Sequence, residues 1–249
     1  MFENEQQKAS WKAAKAKIKA DKKAFKQGLH VETGYEGGVG NINDQGADRL
    51  VEGVINMAGG DFRRVFVEGV LNTSGALTAE LLDVSGVANF NGDLKVGDFA
   101  CEGTINIRGD VKAEQVGIEG VVNVNSGKLE ATEINCDGVL RVKQGEVSAD
   151  RIDAEGSIWA SQIVGDQVRI CNKYKSSFWT SLLNSFGPTK VDLIEATDIH
   201  LEKVVANQVN GEHIEIGPKC EIDHVDCSGT LHVDPSATVG SITGDCRTV

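Results

Sequence analysis

Along most of this chain the apolar residues fall in pairs two apart, and the pairs recur in threes. After Gly103 they are Ile105/Ile107, Val111/Ala113 and Val116/Ile118; after Gly120, Val122/Val124, Leu129/Ala131 and Ile134/Cys136. After Gly138 the cycle gives Leu140/Val142, Val147/Ala149 and Ile152/Ala154. A period of two marks a strand with one buried face, so each cycle predicts three short strands. An apolar–acidic–Gly signature punctuates the cycles: Val51-Glu52-Gly53, Val67-Glu68-Gly69, Val84-Ser85-Gly86, Cys101-Glu102-Gly103, Ile118-Glu119-Gly120, Cys136-Asp137-Gly138 and Ala154-Glu155-Gly156. The signature glycines are almost evenly spaced, and the step lengthens slightly from Gly53–Gly69 to Gly138–Gly156. Strands this short cannot close a sheet of their own, but stacking coils at about 4.8 Å satisfies every ladder. The pattern predicts an all-β fold, a parallel β-helix of triangular section whose narrow interior suits Val, Ile, Leu, Ala and Cys and has little room for rings.

The pattern breaks after Ile170 and returns with Ile199/Leu201, Val204/Ala206, Ile214/Ile216, Cys220/Ile222, Val225/Cys227, Leu231/Val233 and Ala237/Val239. About ten coils and a rod on the order of 48 Å follow. Three positions after each signature glycine stands an outward residue, namely Asn56, Asn72, Asn89, Asn106, Asn123, Arg141 and Trp159. Stacked asparagines predict an amide ladder. The signature acids Glu52, Glu68, Glu102, Glu119, Asp137 and Glu155 form a second outer stripe, expected to be solvated or countered by neighbouring bases.

The segments outside the repeat divide the chain. Residues 1–28 are rich in lysine and alanine and predict a helix that stops at Gly28. Its stripe of Trp11, Ala14, Ile18 and Phe25 is flanked by Lys12, Lys15, Lys19 and Lys22. Three placements are open for it: on an anionic membrane surface, against the acidic rod, or as a disordered arm. Residues 29–50 read as a Gly-rich linker, 51–170 as coils, 171–190 as an apolar insertion, 191–244 as further coils and 245–249 as a tail. In the insertion Phe178, Trp179, Leu182, Leu183 and Phe186 share one face of a short helix, either packed on the rod or presented to a partner, another subunit or lipid.

Composition sharpens this picture. The chain has 249 residues and a net charge of −12, which is the sum of +5 in residues 1–28 (8 lysines less 3 acids) and −17 beyond (17 bases less 34 acids). An acidic rod argues against nucleic acid as a partner. The 29 glycines, about 12% against a usual share of about 7%, are corners rather than linkers. Six cysteines without a CxxC pair suit a reduced, cytoplasmic chain using Cys as a small hydrophobe, as at Cys101, Cys136 and Cys227. No Gly-x-Ser-x-Gly, HExxH or Walker signature is present. His200 and His232 point outward in one column two coils apart, about 10 Å, too far to share a zinc ion. No catalytic residue, cofactor or metal is therefore assigned.

The apolar-Glu-Gly repeats, with Gly92-Asp-Leu-Lys-Val96, Gly109-Asp-Val-Lys-Ala113, the segment from Val209 to Asp223 and Leu231-His-Val-Asp-Pro235, resemble bactofilins, the bacterial polymer-forming cytoskeletal proteins. The resemblance implies a right-handed β-helix that polymerises end to end without nucleotide, in the cytoplasm and often at the membrane, with class roles in cell shape, envelope growth and motility. On that reading Val51, Val54 and Ile55 at one end, and Leu231, Val233, Val239 and Ile242 at the other, supply polymer contacts. Two other classes stay open. One is a discrete adaptor that docks partners through the insertion or the N-terminal helix. The other is a hexapeptide-type acyltransferase, whose stricter six-residue repeat this chain does not keep.

Overall fold

The computed structural model describes residues 4–32, 40–41, 48–171 and 188–248. Asn4–Glu32 form one helix, α1. Beyond it the described chain is mostly parallel strand, wound into a β-solenoid of about 11 turns. The ladder follows the sequence repeat: Val111 lies between Leu94 and Leu129, and Ile118 between Cys101 and Cys136. The inward pairs merge into one core running from Val51 to Leu231. Cys101, Cys136 and Cys227 lie in it. No disulfide joins the cysteines, and burial pushes the Cys101 thiol up to about 12.

The outward asparagine column forms the expected ladder. Each Nδ2 donates to the Oδ1 one coil below: Asn72 to Asn56 at 2.9 Å, Asn89 to Asn72 at 2.8 Å, Asn106 to Asn89 at 2.9 Å and Asn123 to Asn106 at 3.0 Å. Arg141 then donates to Asn123 at 3.3 Å and lies 4.3 Å from the Trp159 ring centroid. The column thus passes from amides to a cation–π stack without losing its contacts.

The signature glycines answer to crowding rather than to a left-handed backbone. A Cβ on Gly103 would lie 2.0 Å from the Gly86 carbonyl oxygen, and one on Gly120 2.0 Å from that of Gly103. Neither is among the glycines with positive φ. At this corner the N–H groups of Glu102 and Gly103 both donate to the Val84 carbonyl, at 2.9 and 3.0 Å, and the next coil repeats the arrangement. That double bond pulls successive corners together and leaves no space for a side chain.

Several expectations change. Phe62, Phe90 and Phe99 are buried in the core, so the interior does admit rings. Phe62 stacks under Ala79 and Phe90 over Thr73, and a short neighbour on the adjacent coil makes the room. Helix α1 runs past Gly28 to Glu32; one interior glycine costs only about 1 kcal/mol and does not force a stop. The linker 29–50 contains ladder: Gly40 and Asn41 pair with Ile55 and Asn56, and Arg49–Val51 pairs with Val65–Val67. The tail also pairs, Arg247 and Thr248 with Thr230 and Leu231. Those pairings raise the coil count above ten.

The insertion interrupts the chain but not the ladder. Ile170 pairs with Leu201 and Leu201 with Ile216, so the first step along the chain is about double the second. Residues 172–187 account for the excess in length; the described ladder ends at Cys171 and resumes at Thr189. The return is pinned twice: Thr189 Oγ1 accepts the Ile158 N–H at 3.1 Å, and Trp159 Nε1 donates to the Pro188 carbonyl at 2.9 Å. One coil later the same corner is turned by Lys203, at φ 55°.

Two outcomes follow from these corners. Gly103→Ala is expected to cost about 1–3 kcal/mol in a denaturant melt, and Gly103→Asn to fare no better, because Asn relieves only a left-handed backbone. Replacing residues 172–188 by a single glycine restores the step from Leu201 to Ile216 and is expected to keep the β-sheet circular dichroism spectrum. Keeping Pro188 as the joining residue is expected to fail, since proline cannot adopt a positive φ.

Candidate functional site

Helix α1 lies on one side of the solenoid, over outward positions of residues 50–117. Ile18 is buried with Leu50, Phe66, Leu81 and Ala100, and Trp11 and Phe25 pack against the same cluster. The Phe25 and Phe66 rings are 5.7 Å apart. At the far end the Trp11 indole rests on bare backbone: a Cβ on Gly117 would fall 1.5 Å from Trp11 Cζ2. The outward column here reads Leu50, Phe66, Asp83, Ala100 and Gly117, so a strip of the rod is apolar on its outer face too.

Beside this seam the helix lysines meet the acid stripe. Lys15 pairs with Glu119 and, at 3.0 Å, with Glu102, to which Lys19 also comes within 3.0 Å. Lys22 reaches Glu68 at 3.3 Å and Asp83 at 3.0 Å; Lys26 reaches Glu52 at 3.3 Å and Glu68 at 2.5 Å. Where the signature has Ser85 in place of an acid, Lys22 donates to Ser85 Oγ at 3.0 Å while Asp83 supplies the charge. The match is metric: a helical turn rises about 5.4 Å and a coil about 4.8 Å, so a lysine at every turn keeps pace with an acid at every coil. Burying Ile18 and Phe66 is worth about 1.5–3 kcal/mol each, against at most about 1 kcal/mol for a surface ion pair. The apolar seam and the ion pairs therefore both hold the helix, and the ion pairs also set its register and direction.

The charges shift accordingly. Burial alone would raise Glu68 and Glu102, but Lys26 and Lys22 beside the first, and Lys15 and Lys19 beside the second, hold both below the ordinary 4.5. Burial pulls Lys15 down, yet Glu119 and Glu102 raise it above 10.5; the hydrogen bond that Lys26 donates to Glu68 raises Lys26 likewise. Near the helix's other end Asp48 bridges Arg63 and Arg64, which overcome its burial and lower it to about 2. Arg64 also lies 5.8 Å from the Phe25 ring centroid.

Trp11, Ile18, Phe25, Lys15, Lys19 and Lys22 are thus drawn together against the rod, the second of the three placements considered, while Lys12 is exposed. Lys26, Asp83 and Gly117 belong to the same surface and were missed, though lysines at 15, 19, 22 and 26 already carry the helical spacing. Phe178, Trp179, Leu182, Leu183 and Phe186 lie outside the described residues. Of the expected end contacts, Val51, Ile55 and Leu231 are sealed in the core, and the added strands at 40–41 and 247–248 lie over Ile55 and Leu231. Val54 is 42% exposed on the side of the rod, in the same outward column as Val87. Val233 and Val239 are half-buried, and Ile242 is 50% exposed.

Two open grooves of about 400 and 440 Å³ lie at the outer bend of successive coils, one lined by Glu195, Glu212 and Asp226, the other by Glu80, Lys95, Lys112 and Glu114. Neither lining contains a histidine or cysteine. Among the described residues no helix is long and apolar enough to cross a membrane. Comparison with protein-family models, curated proteins and solved structures gave no match, so the bactofilin resemblance rests on the repeat residues alone.

The carboxylates stabilise docking above their ordinary pKa and lose that effect as pH falls through their lowered values; the lysines lose theirs only above 10.5. With Trp159 and Trp179 replaced by Phe, Trp11 emission is expected to be constant across neutral pH and to shift red below about pH 4.5. Gly117→Val is expected to give the shifted emission at neutral pH, with the solenoid's β signal unchanged.

Proposed function

We propose that this chain is a non-enzymatic scaffold that assembles end to end without nucleotide, as its resemblance to bactofilins implies. One observation carries this reading. Ile242 closes an interior column whose earlier members Ile163, Ile194, Val209 and Val225 are all fully buried, yet Ile242 itself is half exposed. Residues 238–243 have a ladder partner on one side among the described residues, the strand of Glu221–Val233. An unpaired parallel edge beside an interior aliphatic is a template for another coil of the same kind. The continuous aliphatic core, with the asparagine and acid stripes along its outside, supports a passive rod. Membrane attachment through α1 is left out of this reading because Trp11, Ile18 and Phe25 are engaged on the rod.

Purified full-length protein is expected to give filaments or defined oligomers in negative-stain micrographs without nucleotide. Ile242→Asp, at an exposed position, is expected to shorten or abolish them while leaving the thermal melt nearly unchanged, and Val239→Pro to do the same with most β-structure retained. A protein that is strictly monomeric at high concentration overturns the proposal and leaves the discrete adaptor.

A further inference from the structure

Cys171 differs from the cysteines of the core. Cys101, Cys136, Cys220 and Cys227 face inward in the core cluster, whereas Cys171 is fully buried and stands outside it. Its strand neighbour Ile170 occupies the inward position, in register with Leu201. Cys171 therefore takes the outward place that a signature acid holds elsewhere, and its ladder partner Glu202 is such an acid. On Glu202's own strand, His200 stands two positions earlier on the same outer side. One ligand atom from each of Cys171, His200 and Glu202 lies within 4.8 Å of the other two.

The geometry points to a zinc site made by Cys171 Sγ, His200 Nε2 and a Glu202 carboxylate oxygen. His200 Nε2 and Glu202 Oε1 are 3.5 Å apart. Two ligands bound to one tetrahedral zinc at about 2.0–2.3 Å are separated by roughly 3.3–3.6 Å, so this pair already has the required spacing. The other ring nitrogen, Nδ1, lies 2.8 Å from Glu215 Oε2 on the next coil. A carboxylate beside Nδ1 is the usual outer support of a zinc-bound imidazole, with Nε2 as the nitrogen that faces the metal. Thiolate, imidazole and carboxylate together select a borderline cation such as Zn²⁺ over Mg²⁺ or Ca²⁺.

The site's position gives it a use. Cys171 is the last described residue of its strand, and His200 and Glu202 lie on the next described strand, Thr189–Glu202. A metal here ties the two coils at the corner where residues 172–187 interrupt the chain. This inference does not depend on self-assembly.

The test uses full-length protein, stripped of metal and titrated with Co²⁺ as the spectroscopic substitute for zinc. A sulfur-to-cobalt charge-transfer band with tetrahedral visible bands, bleached by Zn²⁺, is expected. Cys171→Ser is expected to abolish the charge-transfer band although five cysteines remain, and Glu215→Gln to weaken Co²⁺ binding about tenfold or more while keeping the band. Because Cys171 is fully buried, His200→Ala at a partly exposed position provides an independent variant; it is expected to lower affinity with the β signal intact. Absence of the band in the unaltered protein, its survival in Cys171→Ser, or unchanged affinity in His200→Ala overturns the site.

Discussion

The constraint on which this molecule depends is the close stacking of one backbone corner on the next. At six of the seven signature corners, from Gly69 to Gly156, two N–H groups converge on one carbonyl of the coil below, and the glycine's missing side chain is what lets the corners meet. Once the corners are locked, the three ladder segments of each coil have no freedom to slip. A one-residue shift would turn every inward aliphatic outward. The repeat is therefore a repeat of spacing first and of residue type second. Its length drifts upward from the coil between Gly53 and Gly69 to the one between Gly138 and Gly156, and the slack is taken up in the turns.

A fixed stacking distance converts a sequence position into a line along the rod. The asparagine line is self-sufficient, because an amide both donates and accepts and can bond above and below at once. The acid line is not, because carboxylates only accept and repel each other at that spacing. It acquires its partner from α1, whose turn is close enough to the coil rise for Lys15, Lys19, Lys22 and Lys26 to follow Glu119, Glu102, Glu68 and Glu52 down the rod. The two halves of the charge arithmetic, a basic start and an acidic remainder, are in part the two sides of one interface. Past Gly117 the column the helix covers turns polar, passing through Asn135, Asp153, Arg169, His200 and Glu215. Side chains on neighbouring coils there find one another directly.

Much of the fold was legible because a strand's inward and outward alternation is local: Ile105 and Ile107 announce their own strand without knowledge of any other. The stacked asparagines were legible for a second reason, since constant spacing in sequence becomes constant register in space. What escaped were features where stacking alters the local rule. Phe62 and Phe90 have the short side chains Ala79 and Thr73 against them on adjacent coils, while Phe99 fits between Leu82 and Val116. Gly28 reads as a helix stop on propensity, yet α1 continues past it.

By itself the sequence determined the solenoid, its three inward pairs per coil, the amide ladder and the lysine stripe of α1, because each is written in a spacing that recurs along the chain. Only the tertiary structure decided among the placements of α1, since Lys15 and Glu119 lie 104 positions apart and no local pattern joins them. It also decided the company of Cys171. The long step from Ile170 to Leu201 hides that its coil is adjacent to the one bearing His200 and Glu202. Stacking makes neighbours of residues that the chain keeps apart.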